Sequence, residues 1–408
     1  MTIIAVRNPR TGEADYSITA ASADAVAATA RQLRSAQSEW LARGPEARAA
    51  ILLRWADALQ AHGGDIIARL STDTGRIAIA QVELFGVIGF IQRWAALGPD
   101  IIRNLDLREV PSATPGVIIS NVHVPYPLFG AIAPWNFPML LALIDAIPAL
   151  LAGSAALIKP SEVTPRFIPA LRAAIADVPE LASVLAIVEG DAATGQAIVE
   201  QVDYICFTGS VATGRKVAEA AARAFIPANL ELGGKDPMII LPSADPVTAA
   251  GIALRASVAA NGQACQSIER LYVHRSIAER FTAALVEQAE AVTFNYPDIG
   301  KGQIGPFIFA AQAAKVQAQI DAARAAGARI LTGGTVETLG GGKYLKPTVI
   351  VDVTPDMAVV SEETFGPVLP IIVYDDVADA VAAANVSICG MLAAVIGAVA
   401  EADAVAAQ

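Results

Sequence analysis

From residue 22 to about 70, apolar residues recur at helical spacing, with Trp40 and Trp55 set in stretches rich in alanine, leucine and arginine. That spacing gathers the apolar side chains on one face and predicts helices that cover a core. Further along, short apolar runs at 130–133, 155–158, 186–188 and 204–207 are each followed by turn residues and a helical segment. This succession reads as buried strands in βαβ order, hence a parallel sheet. A second set of strands is predicted at 238–241, 270–273, 329–332, 348–351 and 371–374, with amphipathic segments between them. The alanine-rich stretch after Ala378 predicts helices and one strand. The fold class is therefore α/β.

A chain of 408 residues exceeds one ordinary domain and predicts two or three. The pattern places a boundary near Gly233-Gly234. Before it, residues 107–125 alternate apolar and polar positions around a Pro-Ser-Ala-Thr-Pro-Gly turn and stand apart from the helix–strand succession. Apolar residues make up 54% of the chain but are scattered, and no run reads as long enough to cross a bilayer. Residues 129–158 come closest, yet Asn136, Asp145, Pro134, Pro138 and Pro148 interrupt them, and the segment reads as a buried strand, turn and helix.

The first residues lack a cationic start, apolar run and small-residue cleavage site, so the cytoplasm is the expected location. The three cysteines, Cys206, Cys265 and Cys389, lie far apart and form neither a disulfide framework nor metal-ligand spacing. The three histidines are equally isolated, and no metal site is expected. A formal charge of −11 argues against a nucleic-acid surface, which needs clustered cations to neutralise phosphates.

Three residues carry candidate chemistry. Cys265 follows Asn261-Gly262-Gln263-Ala264, a turn able to lift a thiol into a cleft. Glu231 precedes Leu232-Gly233-Gly234-Lys235, where the backbone can turn sharply behind a carboxylate. Asn136 lies in Pro134-Trp135-Asn136-Phe137-Pro138, a turn stiffened by proline. A thiolate attacks an aldehyde carbon, an amide can hydrogen-bond the oxygen as it becomes negative, and a carboxylate can activate water against the resulting thioester. Separately, Gly209-Ser210-Val211-Ala212-Thr213-Gly214 follows a predicted strand and opens a helix, so its N–H groups and Ser210 can approach a pyrophosphate. The dinucleotide fingerprint GxGxxG is absent.

With these motifs, Lys159-Pro160-Ser161-Glu162, Phe207-Thr208-Gly209-Ser210 and Glu363-Thr364-Phe365-Gly366-Pro367, the chain resembles the aldehyde dehydrogenase superfamily in order and over nearly its whole length. Glu231 and Cys265 are 34 residues apart, as is usual in that family. The resemblance implies a Rossmann-type parallel-sheet cofactor domain (1–106 and 126–233), an α/β catalytic domain (234–408) and a small β oligomerisation arm (107–125). It implies NAD(P)-dependent oxidation of an aldehyde to a carboxylic acid through a cysteine thiohemiacetal and thioester. Cys265 is then the nucleophile, Glu231 the general base and Asn136 the oxyanion donor. Trp135, Lys159, Glu162, Gly209, Ser210, Gly214, Glu363 and Phe365 are the expected cofactor-binding residues. Glu162 favours NAD, because a carboxylate accepts from ribose hydroxyls and repels a 2′-phosphate, while NADP stays possible if Glu162 rotates away.

The chain also departs from the family pattern. Asp145 stands where members often have lysine, Cys389 where they often have tyrosine, and members continue for several dozen residues beyond the position of Gln408. The stretch from Met139 to Ile144 lacks arginine, which points to an apolar or aromatic aldehyde. The expected partners are a small-molecule aldehyde and other copies of the chain, as a homodimer or homotetramer if that further segment is present, with neither nucleic acid nor membrane. Glu269 is expected to pair with Arg270 or another cation. Two alternatives stand beside this reading: a coenzyme A-acylating enzyme, and a catalytically impaired NAD-binding homologue.

Overall fold

The computed structural model describes residues 2–408, and within them every side chain except those of 107 and 108. Met1, with which the expected cofactor domain begins, lies outside the described residues. The chain forms two compact units. Among the described residues, the first contains 2–7, 14–73 and 77–231, and the second 8–13, 74–76 and 232–408.

The first unit opens with the antiparallel pair β1 (Ile3–Arg7) and β2 (Ala14–Thr19). Helices α1 (Ala23–Ala42), α2 (Pro45–Ala61), α3 (Gly63–Thr74) and α4 (Ile77–Leu105) follow, then the hairpin β3 (Leu107–Pro111) and β4 (Ile118–Asn121). The remainder is β5 (Leu128–Ile132), α5 (Pro138–Leu143), α6 (Ala146–Ala152), β6 (Ala155–Lys159), α7 (Ile168–Ala176), α8 (Pro179–Ala182), β7 (Leu185–Ile187), α9 (Ala192–Val199), β8 (Tyr204–Thr208), α10 (Val211–Ala224) and β9 (Ala228–Glu231).

Strands β5 to β9 make one parallel sheet in the order β7-β6-β5-β8-β9. Counted from β5, the chain runs outward to β7, returns, and then runs outward on the other side. This leaves a crevice beyond the carboxyl ends of β5 and β8, where doubly wound sheets hold ligands. All five side chains of β6 are buried, as expected of a sheet covered on both faces by helices.

The second unit comprises β10 (Asp236–Ile240), α11 (Pro246–Val258), β11 (Ile268–His274), α12 (Arg275–Glu290), α13 (Ala310–Ala325), β12 (Arg329–Thr332), β13 (Glu337–Leu339), β14 (Gly342–Tyr344), β15 (Thr348–Val351), α14 (Ala358–Ser361), β16 (Val368–Tyr374), α15 (Val377–Asn385), β17 (Ala394–Ile396) and α16 (Val399–Ala406). Its main sheet has the order β12-β15-β16-β11-β10-β17, with only β12 antiparallel to its neighbour. Met238, Ile240, Leu271, Val273 and Leu369 from this sheet pack with Phe281 and Leu285 of α12.

Every predicted strand has its counterpart, with bounds moved by a few residues at most. Five further strands, the N-terminal β1 and β2, the hairpin β13–β14 and β9, carry no strong alternation and were not anticipated. Residues 129–158 hold β5, two short helices and β6 rather than one helix. One expectation is corrected. Among the described residues α4 is long and apolar enough, by length and composition, to cross a membrane. Its Leu84, Val87 and Ile91 are fully buried within the unit while Val82, Phe85, Leu97 and Ile101 are exposed, so burial accounts for one face of the helix only.

Candidate active site

In the first unit, Ile132, Lys159 and Phe207 stand at the carboxyl ends of the three central strands and line a cavity of about 330 Å³ closed by α9 and α10. Val199 and Val217 supply an aliphatic wall, the setting for a flat heteroaromatic ring. Lys159 is buried and its Nζ donates to the Gly190 carbonyl at 2.9 Å, the Pro160 carbonyl at 3.2 Å and Glu162 Oε2 at 3.2 Å. The ammonium that lines the cavity is thus paired with the Glu162 carboxylate. These residues fit the adenosine end of a dinucleotide.

Ser210 N-caps α10, its Oγ accepting from the Thr213 N–H at 3.3 Å. Its hydroxyl is therefore already engaged with the helix start that the motif placed near a pyrophosphate. Gly214 is buried in the first turn of the same helix. Gly209 donates its N–H to the Glu231 carbonyl at 2.9 Å, tying the glycine turn to the end of β9.

Glu231 is the last residue of β9, and its side chain is exposed. Asp145 is close enough for the Glu231 charge to act on it: burial first, then that charge, raises the Asp145 carboxyl above the usual range. Burial and Asp145 together push the Cys206 thiol up to about 12, which removes Cys206 as a nucleophile. Asn136 is buried in the turn after β5, beside Trp135, whose carbonyl accepts from Thr164 Oγ1 at 3.2 Å.

In the second unit, Cys265 occupies a turn just before β11 and is partly buried. The residues ahead of it, Ala260, Asn261 and Gly262, all take positive φ (54°, 63° and 66°). A non-glycine residue in that region costs about 1–3 kcal/mol and persists only where its surroundings fix it. Here Asn261 Nδ2 donates to the Pro306 carbonyl at 2.9 Å, Asn261 Oδ1 accepts from the Gly305 N–H at 3.0 Å, and Gln263 Oε1 accepts from the Ile308 N–H at 3.0 Å. Two glycines permit close approach. A Cβ on Gly234 would lie 2.3 Å from the Cys265 carbonyl oxygen, and one on Gly262 would lie 2.4 Å from the Gly366 main chain.

Glu363 is partly buried and its Oε1 accepts from the Gly234 N–H at 3.2 Å. The Cys265 thiol is raised by burial and further by the charges of Glu363 and Asp236, against which its own main-chain bonds act. Phe365 takes a φ of 56° and is partly buried. Glu269 pairs with Lys235 at 2.8 Å, both fully buried, whereas Arg270 donates to main-chain carbonyls and to Tyr272. Of the expected alternatives, Arg270 or another cation, the partner is Lys235, because successive residues of β11 face opposite sides.

A model of the aldehyde dehydrogenase family matches residues 1–408. The chain belongs to that family. A betaine aldehyde dehydrogenase of Rhizobium meliloti is 34% identical over 97% of this chain and 81% of its own length. A solved structure from Anabaena variabilis, “Putative Aldehyde Dehydrogenase PutA”, is 45% identical with a TM-score of 0.97, over 100% of this chain and 86% of that one. The Staphylococcus aureus betaine aldehyde dehydrogenase in complex with NAD+ is 26% identical with a TM-score of 0.93, over 100% and 82%. As a member of this family, the chain is an NAD(P)-dependent oxidoreductase of aldehydes.

Within this aldehyde dehydrogenase, three residues have supporting hydrogen bonds that the sequence reading did not give, although it named Asn261 in the turn and expected Glu269 to pair with a cation. Glu83 on α4 is fully buried and its Oε2 accepts the main-chain N–H groups of Met139 (2.9 Å) and Leu140 (3.1 Å), the first turn after Asn136. Asn261 and Glu269 play comparable parts in the second unit. The one visible signal was Glu83 itself, the single charge in the otherwise uncharged stretch 77–91.

Proposed function

We propose that Cys265 is the catalytic nucleophile of an enzyme that oxidises an apolar or aromatic aldehyde and releases the carboxylic acid. The Cys265 sulfur bonds to the carbonyl carbon, and the oxygen that becomes negative is met by the Asn136 amide and the Cys265 N–H. A preorganised donor of this kind is worth about 2.7–4 kcal/mol of barrier. As the oxyanion re-forms its carbonyl the carbon gives up its hydrogen as hydride, for which a bound nicotinamide would supply the acceptor, and Cys265 is left holding a thioester. Glu231 takes a proton from water, which attacks the thioester, and Cys265 leaves as thiolate. Hydrolysis rather than transfer to coenzyme A is favoured by Glu231, because a thiol acceptor needs no such base.

On the cofactor side, Lys159 and Glu162 hold the adenosine ribose, with Gly209, Ser210 and Gly214 at the pyrophosphate. Trp135 and Phe365 pack the nicotinamide end, and Glu363 binds its ribose. The observation that carries this reading is the cavity at the carboxyl ends of β5, β6 and β8, lined by Lys159, whose ammonium also donates to Glu162. The Glu162 carboxylate favours NAD over NADP. Residues 1–106 and 126–233 act as the cofactor domain and 234–408 as the catalytic domain.

The apolar substrate class is supported by Met139 to Ile144, a segment without arginine, and by the exposed Val82 and Phe85 on α4 beside them. A Cβ on Gly86 would sit 3.8 Å from Leu140, so that face of α4 adjoins α5. The arm at 107–125 exposes Val117, Ile118 and Ile119, a surface suited to a second copy, and the enzyme acts as a homodimer or homotetramer in the cytoplasm. Product analysis with benzaldehyde and NAD+, with and without coenzyme A, tests the reaction. Benzoate in both mixtures supports it, and a product formed only with coenzyme A contradicts it.

A further inference from the structure

Glu269 stands four residues after Cys265, inside β11, and is 2% exposed. Its carboxylate is fully occupied. Oε2 accepts from the Thr364 N–H and from Lys235 Nζ, and Oε1 accepts from the Phe365 N–H, each at 2.8 Å. Lys235 Nζ also donates to Thr364 Oγ1 at 3.0 Å. Two consecutive amides are thus held by one buried anion, immediately after Glu363 and at a residue, Phe365, whose backbone lies in the left-handed region. An L-residue with that φ needs outside support. A buried carboxylate is otherwise expensive, and Lys235 is the cation that makes it tolerable.

We propose that Glu269 is a positioning residue for the reaction: by clamping the amides of Thr364 and Phe365 to the start of β11, it sets where the 363–365 loop holds the nicotinamide end of the cofactor. This rests on the cofactor role proposed for Glu363 and Phe365. The clamp and the nucleophile turn spring from the same strand end, so a loop freed from Glu269 shifts relative to Cys265 while Cys265 itself keeps its place. Misplacement by about 1 Å of a group that positions substrate costs on the order of 100-fold in rate. A glutamine at 269 keeps the shape but offers one acceptor atom in place of two, so one amide loses its partner.

The test compares wild type, Glu269→Gln, Lys235→Met/Glu269→Gln and Glu363→Gln. It follows kcat, KM for NAD+, the melting temperature and the rate of Cys265 alkylation by iodoacetamide. The expected result for Glu269→Gln is a kcat lowered roughly 10- to 100-fold and a raised KM for NAD+, with alkylation within about two-fold of wild type. The double variant removes the uncompensated buried lysine, so its melting temperature recovers while kcat stays low. If Glu269→Gln alone is too unstable to measure, the double variant carries the kinetic comparison.

The proposal is overturned if kcat and KM for NAD+ stay within two-fold of wild type in Glu269→Gln, or if the double variant regains wild-type kinetics, which would leave Glu269 only as a counter-charge. Loss of function in Glu363→Gln alone separates that failure from failure of the cofactor reading. Unchanged kinetics in Glu363→Gln would remove the cofactor reading and this proposal with it.

Discussion

Asn261 is locked to Pro306, its Nδ2 donating to the proline carbonyl at 2.9 Å, and through this bond the turn ahead of Cys265 keeps three successive residues at positive φ. Replacing Asn261 by alanine leaves the buried Gly305 N–H without its acceptor, at about 1–3 kcal/mol, and removes a side chain that tolerates left-handed backbone. We expect Asn261→Ala to lower the melting temperature and to reduce kcat about ten-fold, because the turn relaxes and the thiol leaves its place. Thermal denaturation together with steady-state kinetics checks this. A variant of wild-type stability and kcat would contradict the role given to the turn.

Glu83 plays the corresponding part beside Asn136. Both amides donate to the one oxygen Oε2, so glutamine can keep the two bonds but without the charge that strengthens them, and the first turn of α5 loosens. Glu83→Gln is expected to lose about 1–2 kcal/mol of stability. Its kcat should fall while KM for NAD+ is unchanged, since the affected donor acts on the oxyanion and not on the cofactor. A rise in KM for NAD+ at constant kcat would assign Glu83 elsewhere.

The acid–base behaviour of Cys265 gives a pH prediction. Its thiol lies above the ordinary cysteine value of about 8.5 because it is buried and faces the anions Glu363 and Asp236. Each negative neighbour disfavours the thiolate, so removing one lowers the thiol pKa. Iodoacetamide alkylation of the cofactor-free protein should therefore rise with pH through a midpoint above that of free cysteine. In Glu363→Gln the midpoint should move down. A midpoint moving up in that variant would contradict the stated geometry.

The sheets were legible because their strands are short apolar runs bounded by turn residues, and β12 and β15 matched to the residue. Strand β9 was not, since Ala228–Glu231 is polar at half its positions and exposed at its ends. The apolar length of α4 also misled, because burial of one face and a solvent-facing Val82 and Phe85 together read as scattered hydrophobicity. The three positions named for chemistry were visible in local motifs. Their supports were not, for a physical reason: Glu83 meets Met139 56 positions away, Asn261 meets Gly305 44 away, and Glu269 meets Thr364 95 away. A buried hydrogen bond between distant segments leaves no periodicity in either. Lys235 shows the same limit, since nothing in Gly233-Gly234-Lys235 says that its ammonium turns inward to Glu269.

The central claim is that Cys265 forms the covalent bond to substrate. It is tested most directly by following NADH absorbance with a panel of aliphatic, aromatic and semialdehyde substrates, for the wild-type protein beside Cys265→Ala. The account predicts aldehyde-dependent NADH formation by the wild type and its loss in Cys265→Ala, with NADH binding retained. NADH formation at an undiminished rate in Cys265→Ala would contradict it.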